Sequence, residues 1–205
     1  MTSVAVVGDT PLAARLEAEL GAAGHASTAS VVVLVDSPTL TDLSPGTSVL
    51  HVSRVGCDLI DDRSNRSIAA TERTISARPH TILRRTILHP EMWELLERWS
   101  RLPVMAVPYD TRFQPLDPDV VVQRVAALID TPAAGRVPDV GGPFVYDARD
   151  LARSYLAATG IRRPILRRNR FGIAGAEMRA GANLTSNRDT SGASWNDFVT
   201  TKVGT

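Results

Sequence analysis

Short unbroken apolar runs alternate with stretches of helical period along most of this chain. Ser3–Gly8, Val31–Asp36 and Ser48–Ser53 are Val-rich runs without polar alternation, the pattern of parallel strands buried on both faces. Between the first two, Leu12, Leu16 and Leu20 recur every fourth position, a single helical stripe ending near Gly24. Thr10 is a good N-cap for that helix, and Pro11 suits its first position, where no N–H is required. Further on, Arg63–Ala77 reads as a helix and Thr81-Ile82-Leu83-Arg84 as a strand. A helix follows over Pro90–Arg101, with Trp93, Leu96 and Trp99 on one face, then a short strand over Val104–Val107. Asp117–Ile129 is an amphipathic helix with Val121, Val125 and Leu128 on its stripe. Pro143–Tyr146 is extended, and Asp147 caps a helix running to Thr159. The tail from Ile161 holds a basic stretch, a Gly/Ala-rich segment and a last short helix over Trp195–Val199.

Strands alternating with helices specify an α/β protein with a Rossmann-like parallel sheet and helices on both faces. The expected organisation is one domain over residues 1–160, with 161–205 as a C-terminal extension packed on it. A chain of 205 residues buries about 70% of its unfolded surface and needs no staple. Hydrophobic residues at 43% and charged residues at 22% exclude a disordered chain.

Lys+Arg at 23 against Asp+Glu at 22 leaves a net charge of +1, which argues against a nucleic-acid or anionic-membrane partner. No apolar run reaches transmembrane length and the first residues lack a basic signal-peptide start, so the expected location is cytoplasmic. Cys57 is the only cysteine, and the four histidines lack metal-ligand spacing, so no metal site is expected. Lys202 is the sole lysine, which leaves any lysine-dependent mechanism one candidate near the C-terminus. The Arg-for-Lys bias, with abundant Ala, is that of a GC-rich bacterial genome.

Five segments carry a resemblance: Leu50-His51-Val52-Ser53-Arg54-Val55-Gly56, Ala69-Ala70-Thr71-Glu72-Arg73, Thr81-Ile82-Leu83-Arg84, Phe113-Gln114-Pro115-Leu116-Asp117-Pro118-Asp119-Val120 and Arg179-Ala180-Gly181-Ala182-Asn183-Leu184. In order and spacing they resemble the atypical, NmrA-like branch of the short-chain dehydrogenase/reductases, a family of NAD(P)-binding Rossmann proteins. The resemblance implies a Gly-rich GxxGxxG turn that cradles a diphosphate. Here that turn reads Gly8-Asp9-Thr10-Pro11-Leu12-Ala13-Ala14: Gly8 remains, but Pro11 and Ala14 replace the other two glycines. Only His25–Ser30 separates the first helix from the Val31 strand, too short for a βαβ crossover of at least about 10–12 residues. The second and third strands of the full fold are therefore expected to be missing, leaving the order 1-4-5-6-7 in family numbering with the Val4 strand at an edge. Such an edge invites pairing, with a homodimer as its simplest form. The resemblance further implies a Ser-Tyr-Lys relay. Ser53 matches its Ser, whereas Ser64 and Ile68 stand at the Tyr and Lys positions.

Ser53 and Asp36 end adjacent strands at the carboxyl edge, where open α/β sheets bind ligands, and His89 follows the next strand. With Tyr109 they form the candidate acid/base set, each with a plainer reading as turn, cap or loop residue. Arg112 and Trp93 are the candidate substrate contacts, alternatively a solvated loop residue and a core aromatic. Gly8 and Thr10 read first as a plain strand-to-helix turn and second as a vestigial phosphate site. Arg162, Arg163, Arg167, Arg168 and Arg170 form the one basic cluster, read as a solvated strip or as a subunit or acidic-ligand contact. The leading functional expectation is a non-redox enzyme of isomerase, cyclase or dehydratase type acting on a small organic molecule of specialised bacterial metabolism. The alternatives are a non-catalytic ligand-binding or regulatory module, then an NAD(P)-dependent oxidoreductase. No cofactor is expected, NADP being the one the degenerate turn would take if it binds any.

Overall fold

A computed structural model describes residues 3–21, 29–36, 43–44, 46–108, 110–168 and 173–204. The main sheet contains β1 (Val4–Val7), β2 (Val31–Val35), β3 (Ser48–Arg54), β4 (His80–Arg85) and β7 (Gly135–Arg136), all parallel, in the order β1-β2-β3-β4-β7. The first four strands stand in the expected order, with β1 at one margin.

The strand at the far margin departs from the sequence reading. Val104–Val107 falls in β5 (Met105–Pro108), which leaves the main sheet and pairs with β9 (Ile165–Arg168). The fifth position goes to Gly135–Arg136, a segment with no apolar run that pairs with Thr81 and Ile82. Two short antiparallel strands, β6 (Arg112–Phe113) and β8 (Tyr146–Asp147), make a third pairing.

The helices are α1 (Pro11–Leu20), α2 (Arg63–Ile75), α3 (His89–Ser100), α4 (Pro118–Ile129), α5 (Ala148–Thr159), α6 (Ile173–Ala180) and α7 (Trp195–Val203). Their starts follow local chemistry. Thr10, Asp62, Asp117 and Ser194 each accept a first-turn N–H of the helix that follows. The Gly/Ala-rich segment, given no element from sequence, forms α6, where Gly175 and Met178 are buried.

Alternation along the strands divides the sheet into two faces. Val33, Val35, Leu50, Val52 and Leu83 pack with α1 and α4, whereas Val32, Leu34, Val49 and Ile82 pack with Ile75 of α2. The steps β1→β2 and β3→β4 run in the same direction across the sheet, yet α1 and α2 lie on opposite faces. The two crossovers therefore have opposite hands, and one breaks the right-handed rule.

A second core joins α3, α5, β5 and Ile60 to Met178 and Trp195 of the tail. Trp195 is buried, and its Nε1–H donates to Ser154 Oγ at 2.9 Å. Buried Gln114 fastens the tail from another side, donating to Gly142 O at 2.8 Å and accepting from Thr185 N at 3.0 Å. Among the described residues no helix is long and apolar enough to cross a membrane.

Candidate functional site

Two adjacent pairs of polar residues at the carboxyl ends of β3 and β4 organise the site. Ser53-Arg54 and Arg84-Arg85 are register partners, and the pleat sends each neighbour to the opposite face. One cluster therefore forms under α2 and a second on the α1 side.

Under α2, Glu72 is the hub. It accepts from Ser53 Oγ at 2.5 Å, from Arg84 Nε at 2.9 Å and Nη2 at 2.6 Å, and from Cys57 Sγ at 3.5 Å. Arg84 also reaches Asp58 at 2.7 Å. Burial alone would raise the Glu72 carboxyl, but the Arg84 and Ser53 hydrogen bonds and the Arg84 charge outweigh it and hold it below the usual range. Burial, partly offset by the Ser53 hydrogen bond, pushes the Cys57 thiol up to about 11. That leaves it protonated and a weak nucleophile. Ser53 is fully buried, with its hydroxyl committed to Glu72. The cluster reads as a structural brace.

The second cluster opens onto a cleft of about 800 Å³, within the range of small-molecule sites. Asp36 follows β2 in the left-handed region at φ +47. Its Oδ1 accepts from Arg54 Nε at 3.1 Å and its Oδ2 from Arg85 Nη2. Burial opposes the charge on Asp36, but the Arg85 and Arg54 guanidiniums prevail and lower its pKa. The fork of Arg85 also grips Glu91, both bonds at 2.6 Å. Glu91 in turn accepts from Leu88 N at 2.9 Å, tying the network to the start of α3.

One stripe of α3, formed by Glu91, Glu94, Leu95, Arg98 and Trp99, faces the cleft. Its Met92 and Leu96 face the second core. Ile60, Phe113 and Met178 add apolar wall, and Asp9, Thr10 and Pro11 close the end beside α1.

The sequence-derived candidates disperse. Asp36 sits behind the cleft, walled off by Arg54 and Arg85. His89 is buried, 5.1 Å from the Phe198 ring and 6.0 Å from Trp195. Burial, against weaker opposing effects, lowers its pKa and so favours the neutral ring. Trp93 packs on Tyr155 in the second core, while Trp99 lines the cleft. Arg112 is exposed, and its backbone carbonyl accepts from Asn183 Nδ2 at 2.8 Å. Tyr109 and Arg170 lie outside the described residues. Ser64 is exposed, and Ile68 is buried with Cys57 and Ala69.

At the first turn, a Cβ on Gly8 would stand 2.8 Å from the Val35 carbonyl oxygen, so close strand packing alone accounts for that glycine. Pro11 has no N–H, the Ala13 N–H is taken by Thr10 Oγ1 at 3.2 Å, and the Ala14 N–H by Thr10 O at 3.2 Å. Sequence reading missed Arg54, Arg85, Glu72 and Glu91. The available signal was two charged residues ending strands otherwise too apolar to meet water, which demands buried partners.

No family model and no curated protein sequence matches the chain. Solved structures do. RMD from Pseudomonas aeruginosa, solved with NADPH, superposes with a TM-score of 0.61 at 12% identity, over 100% of this chain and 98% of that one. dTDP-4-dehydrorhamnose reductase from Bacillus anthracis, solved with NADP, gives 0.63 at 11% identity over 87% and 88%. UDP-N-acetylglucosamine 4-epimerase from Bacillus cereus gives 0.59 at 10% identity over 99% and 98%. The chain has the Rossmann-like fold of these NAD(P)-type reductases and epimerases.

Proposed function

We propose that this protein binds a small organic molecule in the cleft and performs no hydride transfer. The observation that carries this reading is what occupies the carboxyl rim. An Asp36–Arg54–Arg85–Glu91 network stands there, while the two positions of the expected phenol and lysine hold exposed Ser64 and buried Ile68. An aliphatic hydroxyl with no neighbouring cation is a poor proton donor at neutral pH.

The first turn fits a dinucleotide poorly. Of the first four helical positions only Leu12 keeps an N–H that is neither lacking nor engaged by Thr10, and Asp9 adds a carboxylate beside it. A diphosphate there would meet a carboxylate and a helix start with one N–H missing and another capped by its own Thr side chain, a weaker anion site than an open helix N-terminus.

A ligand-binding or regulatory module is the better-supported form, because neither Asp36 nor His89 lines the cleft. Non-redox turnover is the second reading. It rests on Glu94 and Asp9, whose carboxylates border the cleft with no ion-pair partner among the described residues.

The test is a thermal-shift titration with NADPH, NADH and FAD. The melting temperature should not move with any of the three. Because a ligand of the native state raises apparent stability, a rise of several degrees at micromolar NADPH would overturn the proposal.

A further inference from the structure

We infer that Arg54 is the anchor for the carboxylate of a monoanionic organic acid, whose apolar body lies against Trp99, Leu95 and Phe113. This deepens the ligand-binding reading of the cleft and rests on it.

Arg54 is held in place from behind. Its Nε–H is fixed on Asp36 Oδ1 at 3.1 Å, and Asp36 is in turn pinned by fully buried Arg85. The Arg54 side chain is 38% exposed and lines the cleft, and among the described residues its two Nη groups have no partner. With Nε engaged, the fork that remains is the end-on Nη1/Nη2 pair. Its parallel N–H groups match the two oxygens of a carboxylate. A guanidinium aimed by a buried carboxylate has given up much of its rotamer freedom before binding, so less is lost when a ligand arrives.

The charge balance selects among anions. Arginines outnumber carboxylates five to four on the described cleft wall, and Asp36 lies directly behind. Counting Asp36 the charges balance five to five, so the surroundings hold no surplus cation for a second negative charge, and a ligand's single charge is met by the Arg54 fork itself. The apolar side comes from the same helix that supplies Glu91, since Leu95 and Trp99 lie on its cleft-facing stripe, and Trp99 stands 6.3 Å from the Phe113 ring.

The test uses the full chain and three probes: 4-phenylbutyrate, its neutral amide, and inorganic phosphate, each titrated by calorimetry. The acid should bind at least about tenfold more tightly than the amide, a difference in the range of charge-assisted hydrogen bonds. Arg54→Gln should erase that difference while leaving amide binding unchanged. Arg101→Gln, which removes an equal charge at the C-terminal cap of α3 outside the cleft, should preserve it, with circular dichroism confirming that both variants fold. The inference is overturned if acid and amide bind alike, if neither binds, if phosphate binds more tightly than the acid, or if Arg54→Gln keeps the preference. None of these results depends on NADPH, so failure here and failure of the non-redox reading are told apart.

Discussion

His51 is enclosed in the middle of β3 with neither ring nitrogen hydrogen-bonded. Burial lowers its pKa below the ordinary 6.5, against the opposing charges of Glu72 and Asp36 and with the help of Arg84. His89, also buried, is lowered from the same value. Both bind a proton less readily in the folded chain than in the unfolded one, where a histidine titrates near pH 6.5. The unfolded state then binds more protons, and stability must fall as pH drops below about 6.5, by up to about 1.4 kcal/mol per pH unit for each histidine. The lowered carboxylates Asp36 and Glu72 add to this loss only below about pH 4, near their unfolded pKa values. The urea midpoint should therefore be lower at pH 5.5 than at pH 7.5, and His51→Leu should flatten part of that slope. An equal or higher midpoint at pH 5.5 would show that neither ring resists protonation.

At the level of elements, close approach separates glycines that look alike in sequence. Gly56 and Gly160 both have positive φ, +80 and +68. A Cβ on Gly160 meets nothing within 4 Å, whereas one on Gly56 would lie 2.2 Å from the Ala182 carbonyl oxygen. Gly160→Ala should cost about 1 kcal/mol for the left-handed backbone alone. Gly56→Ala should cost at least about 2 kcal/mol, since it also forces the segment after α6 off the end of β3. Equal losses in urea unfolding would mean that this contact contributes nothing.

The same contrast explains what could be read in advance. The apolar runs and caps placed β1 to β4 and five helices close to their observed bounds, because those signals are local. Gly135–Arg136 joins the sheet through backbone pairing to β4, and α6 is held by burial of Gly175 and Met178, so neither leaves a periodic trace. The site was legible only as a location, the carboxyl ends of β2 to β4. Which of Ser53 and Arg54 faces the cleft depends on pleat phase against the neighbouring helices, and the run of residues alone leaves that phase open.

For the molecule as a whole, the question is whether the tail is a separate body. The second core draws on Ile60, Met92, Tyr155, Met178 and Trp195, and β9 of the tail completes the pairing of β5. All three tryptophans lie in or against that core, while α1, α2 and α4 cover the main sheet. Tryptophan fluorescence therefore monitors the second core, and far-ultraviolet circular dichroism follows every helix. Chemical unfolding should give coincident curves from the two probes, as a single cooperative unit requires. Two separated transitions would divide the chain into independently stable parts.

The strand order has a consequence for how the chain assembles. From β1 to β4 each strand lies beside the one made just before it, so no later segment has to wedge between two already joined. As residues emerge in order, the sheet can lengthen at one side only, with the loop-closure penalty kept to neighbouring stretches. Only β7 must wait, because α3, β5 and α4 all come between it and β4. The unusual hand of one crossover sits inside this quickly closed portion, where short connections leave the fewest competing arrangements.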